Sequence, residues 1–209
     1  MMKRVQKKIL TAVVTTILSL VATTASARAQ TVHIGVAVPG FTLRDMRGRL
    51  QTFHPSNSKV TVVMFFSTRC PMSNAFNYRR NVLYHDYHKR VRFIAVDSNA
   101  NESLDEVRAY AKYTGFDFPV YQDVDDQLAD LLAVHSTTEN FVLDNGGVVR
   151  YRGYIEDSPN PARTKIQGLR LALDAVLAGQ PVALVETRAV GCAIRRTHPQ
   201  KLVDEPSIR

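Results

Sequence analysis

The stretch Lys59-Val60-Thr61-Val62-Val63-Met64-Phe65-Phe66 is an unbroken run of β-branched and aromatic residues. It has no polar alternation, so it cannot lie half-buried on one open face. It reads as a strand covered on both sides, which calls for helices above and below a largely parallel sheet. The run ends on Ser67-Thr68-Arg69-Cys70-Pro71. Proline suits a first helical position, where its fixed φ fits and its missing N–H costs nothing. A helix is therefore expected from Pro71 to about Arg90, with Cys70 at its N-terminus. The free N–H groups and macrodipole there favour a thiolate, and Arg69 adds a positive charge if it turns toward the sulfur.

The rest of the chain alternates in kind. A second buried strand is expected over Val91–Val96, then a helix over Glu102–Tyr113 capped by Asn101 or Ser103. A short segment Phe118–Tyr121 and a helix over Asp126–Val134 follow. Phe141–Asp144, the turn Asn145-Gly146-Gly147 and Val148–Arg152 read as a β-hairpin. A last helix spans Ala162–Leu177 and stops at Gly179. Phe41–Leu50 adds an N-terminal hairpin. The order predicts an α/β fold with a mixed central sheet flanked by helices.

The 209 residues carry 27 basic and 19 acidic side chains, but the excess is concentrated at the start. Lys3, Arg4, Lys7 and Lys8 precede an apolar run from Ile9 to Ala22, and Ala25-Ser26-Ala27-Arg28-Ala29 offers small-x-small cleavage sites. This is the pattern of a cleavable signal peptide over residues 1–29, implying a periplasmic or secreted protein without a stable membrane anchor after cleavage. Cleavage would remove five basic residues and leave 22 basic against 19 acidic. That balance gives no nucleic-acid footprint. The domain is expected over 30–196, with a tail over 197–209.

Two cysteines, Cys70 and Cys192, exclude a disulfide-dense scaffold, a cysteine-built zinc site and an iron–sulfur cluster. His85 and His88 lie three apart, with no carboxylate at helical spacing to complete a metal site. Asp123, Asp125 and Asp126 read as a turn and helix cap. No metal or cofactor is expected. Arg79 falls on an apolar stripe of Met72, Phe76, Leu83 and Tyr87. It is expected to point beneath the first helix and pair with a carboxylate, Asp157 being the candidate.

Val62–Ser73 resembles the active-site strand and turn of thioredoxin-fold proteins. Ser98-Asn99, Phe141-Val142-Leu143-Asp144, Tyr151-Arg152-Gly153 and Gly191-Cys192-Ala193-Ile194-Arg195 resemble the peroxiredoxin-like branch of the redoxin family, the alkyl hydroperoxide reductase/thiol-specific antioxidant group. The resemblance implies a thioredoxin-like three-layer fold. It also implies thiol chemistry at Cys70, with peroxide or disulfide substrates and a thiol electron donor. It places Cys192 as a resolving cysteine and Ser67 beside Cys70; the residues themselves add Ser73, Arg69 and Arg79 as candidates around the site.

The sequence departs from the family at three places. Ser73 stands where a Cys-x-x-Cys pair would have its second cysteine. Val63 stands where typical peroxiredoxins carry proline, seven residues before the cysteine. Thr138, in the substrate-facing loop Thr137-Thr138-Glu139, stands where thioredoxin folds carry a cis-proline. A cis bond before a non-proline residue costs about 3 kcal/mol, so a trans bond is expected there. The competing reading is a non-catalytic redoxin-fold binding module with a structural Cys70–Cys192 bond.

Overall fold

The computed structural model describes residues 31–56 and 59–198; the expected signal peptide and most of the tail lie outside the described residues. Seven strands form one sheet: β1 (Phe41–Asp45), β2 (Leu50–Phe53), β3 (Thr61–Phe66), β4 (Arg92–Asp97), β5 (Val120–Gln122), β6 (Asn140–Leu143) and β7 (Val149–Gly153). Their spatial order is β2-β1-β5-β4-β3-β6-β7. The central trio β5-β4-β3 is parallel, whereas β1 on one side and β6 on the other run antiparallel to their neighbours. The N-terminal hairpin therefore extends the main sheet. The sheet is mixed and the fold thioredoxin-like, as expected.

Every residue of β3 is buried. Its alternate side chains serve two cores. Val62, Met64 and Phe66 pack on one face with Leu83, Val107, Leu169 and Leu173. Val63 and Phe65 pack on the other with Leu128 and Leu132. The helices are α1 (Pro71–Asn74), α2 (Asn77–Tyr87), α3 (Leu104–Thr114), α4 (Gln127–Leu131, with Leu132 at its C-cap) and α5 (Gly168–Leu177), of which α2 to α5 supply these residues. Among the described residues none is long and apolar enough to cross a membrane.

Three helical expectations are corrected. The helix expected over Pro71–Arg90 is two helices, broken at Ala75–Phe76. The Ser73 carbonyl, which a continuous helix would offer to the Asn77 N–H, accepts instead from Phe76 N at 3.1 Å and from the Arg80 guanidinium at 2.8 Å. A side chain inserted into the backbone ladder breaks a helix in this way. Glu102 lies outside α3, because Ser103 caps that helix and closes a capping box with Glu106. The last helix begins at Gly168 and not Ala162. Pro161–Arg163 form a separate 3-10 turn, and Asp157 holds the intervening strap through Lys165 N at 2.9 Å.

The segment after α5 follows the sheet. Arg152 N donates to Val185 O, and Thr187 N donates back to Arg152 O, both at 2.9 Å. A Cβ on Gly153 would meet the Thr187 hydroxyl at 1.8 Å, so only glycine permits this approach. The chain then crosses the end of the sheet toward Cys70.

The double burial of β3 predicts a steep cost for truncation there. Phe66→Ala, which empties a site 1 % exposed and removes an edge contact on Phe116, is expected to lower the unfolding free energy by about 3–5 kcal/mol. Urea melts would check this, with the midpoint reduced and the slope unchanged.

Candidate functional site

Cys70 leaves the end of β3 and caps α1, and its sulfur is bonded to that of Cys192, with Cα atoms 5.9 Å apart across 122 residues of chain. The two ends of this bond differ. Cys70 is 1 % exposed, whereas Cys192 is an exposed residue on the crossing tail. In this disulfide form the Cys70 sulfur is out of reach of solvent, because the tail lies over it. The Cys192 N–H points at Cys70 Sγ at 3.3 Å.

The tail is held on both sides. Thr137 N donates to Cys192 O at 2.9 Å and Ile194 N to His135 O at 3.2 Å. Opposite, Ala100 N donates to Arg195 O at 2.7 Å and Arg195 N to Asn99 Oδ1 at 3.1 Å. Arg196 pairs with Asp130 at 2.9 Å, and Thr197 N donates to Asp126 Oδ2 at 2.5 Å. Gly191 makes the crossing possible. A Cβ there would come within 2.8 Å of the Ser136 hydroxyl and of the Thr138 side chain.

The loop Thr137-Thr138-Glu139 thus meets the tail. Its peptide bonds are trans, as expected before Thr138. Glu139 braces it. One carboxylate oxygen accepts from His135 N at 2.7 Å, and the other takes the Arg152 guanidinium at 2.9 Å.

Beneath Cys70 the turn is packed with polar side chains. Ser67 Oγ accepts from Cys70 N and Arg69 N, each at 3.1 Å, and donates to Glu102. The other Glu102 oxygen accepts from Thr68 N at 2.6 Å. Ser73 is fully buried, and its hydroxyl accepts from Ser67 N and from Arg80, both at 3.2 Å. Asp97, at the end of β4, is also fully buried, and one of its carboxyl oxygens has no hydrogen-bond partner. Burial first, then the neighbouring Glu102 carboxyl, push Asp97 well above the usual carboxylate range.

Two arginine expectations are corrected. Arg69 turns away from the sulfur to pair with Glu106 at the protein surface. Arg79 pairs with Glu156 at 3.0 Å, because Asp157 is engaged by the 165–166 backbone. The arginine beneath the site is Arg80, which is 0 % exposed. With Met72 counted, Arg79 and Arg80 straddle the apolar stripe equally. The break at Ala75–Phe76 takes Met72 out of phase, and Phe76, Leu83 and Tyr87 alone point to Arg80.

Glu102, Asp97 and Gly191 were not singled out from sequence. The one legible signal was an acid placed directly after a buried strand. The remaining candidates have other duties. His85 pairs with Asp117 at 2.8 Å, and His88 leans on the Tyr84 carbonyl at 3.1 Å. Asp123 accepts from Leu128 N and Ala129 N at the start of α4 and from the Ser98 hydroxyl.

Burial pushes Asp123 up from 3.8 to about 6 despite those three donors. The folded protein then holds a proton that the unfolded chain releases, so stability falls as pH rises from about 4 to 6. Asp97 acts in the same direction. Asp123→Asn is expected to make that decline shallower, whatever constant offset the amide adds. Equilibrium unfolding of both proteins across pH 4–7 would test it; equal slopes would refute the assignment.

Comparison with known proteins follows the same lines. Over 121 residues the chain is 31% identical to the thiol-disulfide oxidoreductase ResA of Geobacillus thermodenitrificans, spanning 57% of this chain and 68% of that protein. The match to Bacillus subtilis ResA is 29%, over 57% and 66%. Among solved structures, a Sinorhizobium meliloti protein superposes with a TM-score of 0.72 at 28% identity, covering 81% of this chain and 98% of its own. The Chlorobium tepidum thiol:disulfide interchange protein DsbE, at 17% identity with a TM-score of 0.56 over 71% and 98% of the two chains, shares the fold. The AhpC/TSA family model matches residues 34–152, the stretch that runs from β1 into β7 and includes Cys70 but not Cys192, and the chain belongs to that family.

Proposed function

We propose that this protein is an exported thiol-disulfide oxidoreductase whose redox couple is Cys70 and Cys192. The observation that carries the reading is the bond itself. It joins a buried cysteine at a strand end to an exposed cysteine on a crossing tail. The curated relatives named thiol-disulfide oxidoreductases support the same chemistry.

In the reduced protein, the Cys70 thiolate attacks a substrate disulfide. One substrate sulfur leaves as a thiolate and the other becomes a mixed disulfide on Cys70. Cys192 then attacks the Cys70 sulfur, the second substrate thiol leaves, and the 70–192 bond forms. The substrate gains two electrons and the couple loses two. An external thiol resets the couple. Its accessible target is the sulfur of Cys192, since Cys70 is covered. Attack there releases Cys70 as a thiolate and leaves a mixed disulfide on Cys192. A second donor thiol then frees Cys192, and the donor leaves as its disulfide. Peroxide would enter by the same thiolate, with a sulfenic acid in place of the mixed disulfide.

Thr138 leaves the loop facing the tail with a trans backbone, and Glu139 and Arg152 lock its shape. Substrate would approach where the tail now crosses. Asp97 and Glu102 form a buried carboxyl pair beneath the turn.

A structural reading also has an observation in its favour, because the tail is anchored by hydrogen bonds and an ion pair independently of the disulfide. Lability separates the two. Structural disulfides have potentials below about −300 mV, so equilibration with glutathione buffers should open a catalytic bond and leave a structural one closed. Cys70→Ser is expected to abolish reduction of a model protein disulfide. Cys192→Ser should accumulate a mixed disulfide on Cys70, visible as an adduct in intact-mass spectra. Unchanged turnover in Cys70→Ser, or a bond that resists the buffers, would overturn the proposal.

A further inference from the structure

A reactive cysteine needs positive charge near its sulfur, and the two sources expected from the sequence are both diminished. Arg69 is engaged with Glu106, and the helix following Cys70 is a single turn. The carboxyls of Asp97 and Glu102, packed beneath the turn, supply no positive charge. On the tail and its bracing loop, Arg196 is paired with Asp130 and Arg152 with Glu139.

Arg80 remains. Its side chain is fully buried, and its guanidinium contacts only neutral acceptors: Ser73 O at 2.8 Å, Asn77 Oδ1 at 3.0 Å, Ser73 Oγ at 3.2 Å and Phe65 O at 3.3 Å. Its Nε has no partner, and among the described residues no carboxylate pairs with it. From α3, Tyr110 faces it as a neutral phenol bonded to Asn77 and Asn74. Burial draws the guanidinium down to about 10, which still leaves it charged at neutral pH. A buried cation without a counterion is costly and is not explained by packing alone. What it grips is the turn that ends in Cys70, because Ser73 passes the contact to Ser67 N, and the Ser67 hydroxyl passes it to Cys70 N.

We propose that Arg80 is the positioning residue of the thiol site. Held through Ser73, it fixes the 67–73 turn and provides the buried positive charge that stabilises the Cys70 thiolate once the bond to Cys192 opens. The inference rests on the redox reading above and names the charge that the reading needs.

Reduced Cys192→Ser protein contains Cys70 as its single thiol, so the pH dependence of its alkylation reports that thiol directly. Adding Arg80→Gln is expected to raise the midpoint by about one unit, about a tenfold loss of thiolate fraction below it. Arg80→Lys, which keeps the charge, should recover most of the shift. Arg79→Gln, one residue away but paired with Glu156, should leave the midpoint unchanged. Equal midpoints in folded Arg80→Gln and its parent would overturn the proposal, as would equal shifts for Gln and Lys or an equal shift for Arg79→Gln. If Arg80→Gln does not fold, Ser73→Ala decides. It removes the hydroxyl contact while keeping the cation, and an unmoved midpoint there refutes the proposed link. Failure of Cys70 to react in the parent itself would count against the redox reading, which distinguishes the two.

Discussion

Burying β3 on both faces leaves the chain no easy exit. Five consecutive residues, Val62 to Phe66, give their side chains to two cores in alternation. The backbone that follows still has to turn through Ser67–Cys70 beneath a covering tail. Polar backbone groups there have little water to turn to, and an unpaired one costs as much as a lost hydrogen bond. Hence the dense set of partners: Ser67 for the 69 and 70 N–H groups, Glu102 for the 68 N–H, Ser73 for the 67 N–H. Arg80 closes the set from below, and in doing so takes the carbonyl that would have continued the helix. The break between α1 and α2 and the rigidity of the cysteine turn thus share one cause.

The tail solves a second problem. A Cys-x-x-Cys turn carries its own resolving thiol one helical turn away; here that position is Ser73, which bonds the turn internally. The partner sulfur comes instead from 122 residues later, carried along β7 and over the sheet end. Two glycines permit the route, Gly153 against Thr187 and Gly191 against Ser136 and Thr138. In the chain-entropy model a loop of this length stabilises the folded state by about 5 kcal/mol when closed. Noncovalent anchors on Asn99, Ala100, Asp126 and Asp130 hold the tail in addition to the disulfide.

Charge is distributed unevenly around this couple. Exposed pairs such as Arg69–Glu106 contribute little, being screened by water. The groups that matter are buried: the Asp97 and Glu102 carboxyls on one side and the Arg80 guanidinium on the other. A buried charge acts on its neighbours more strongly than a surface charge can, since the local dielectric is low.

Periodicity and residue chemistry were enough to read β3 and its two-sided burial, the βα order, the hairpin at Asn145–Gly147 and the Cys-Pro turn. These are local properties, written in which side chains alternate and which backbone angles proline and glycine allow. Arg79 and Arg80 show where local reading ends. Their angular positions on an unbroken helix are equivalent, and only the break at Ala75–Phe76 chose between them. The same holds for Asp157 against Glu156, where a backbone strap had already claimed one acid. Glu102 and Asp97 became site residues because separate elements fold back on the cysteine turn. That approach is long-range, and no spacing along the chain encodes it. The sequence by itself determined which strand would deliver the cysteine; tertiary packing decided which charges surround it and that the tail would cover it.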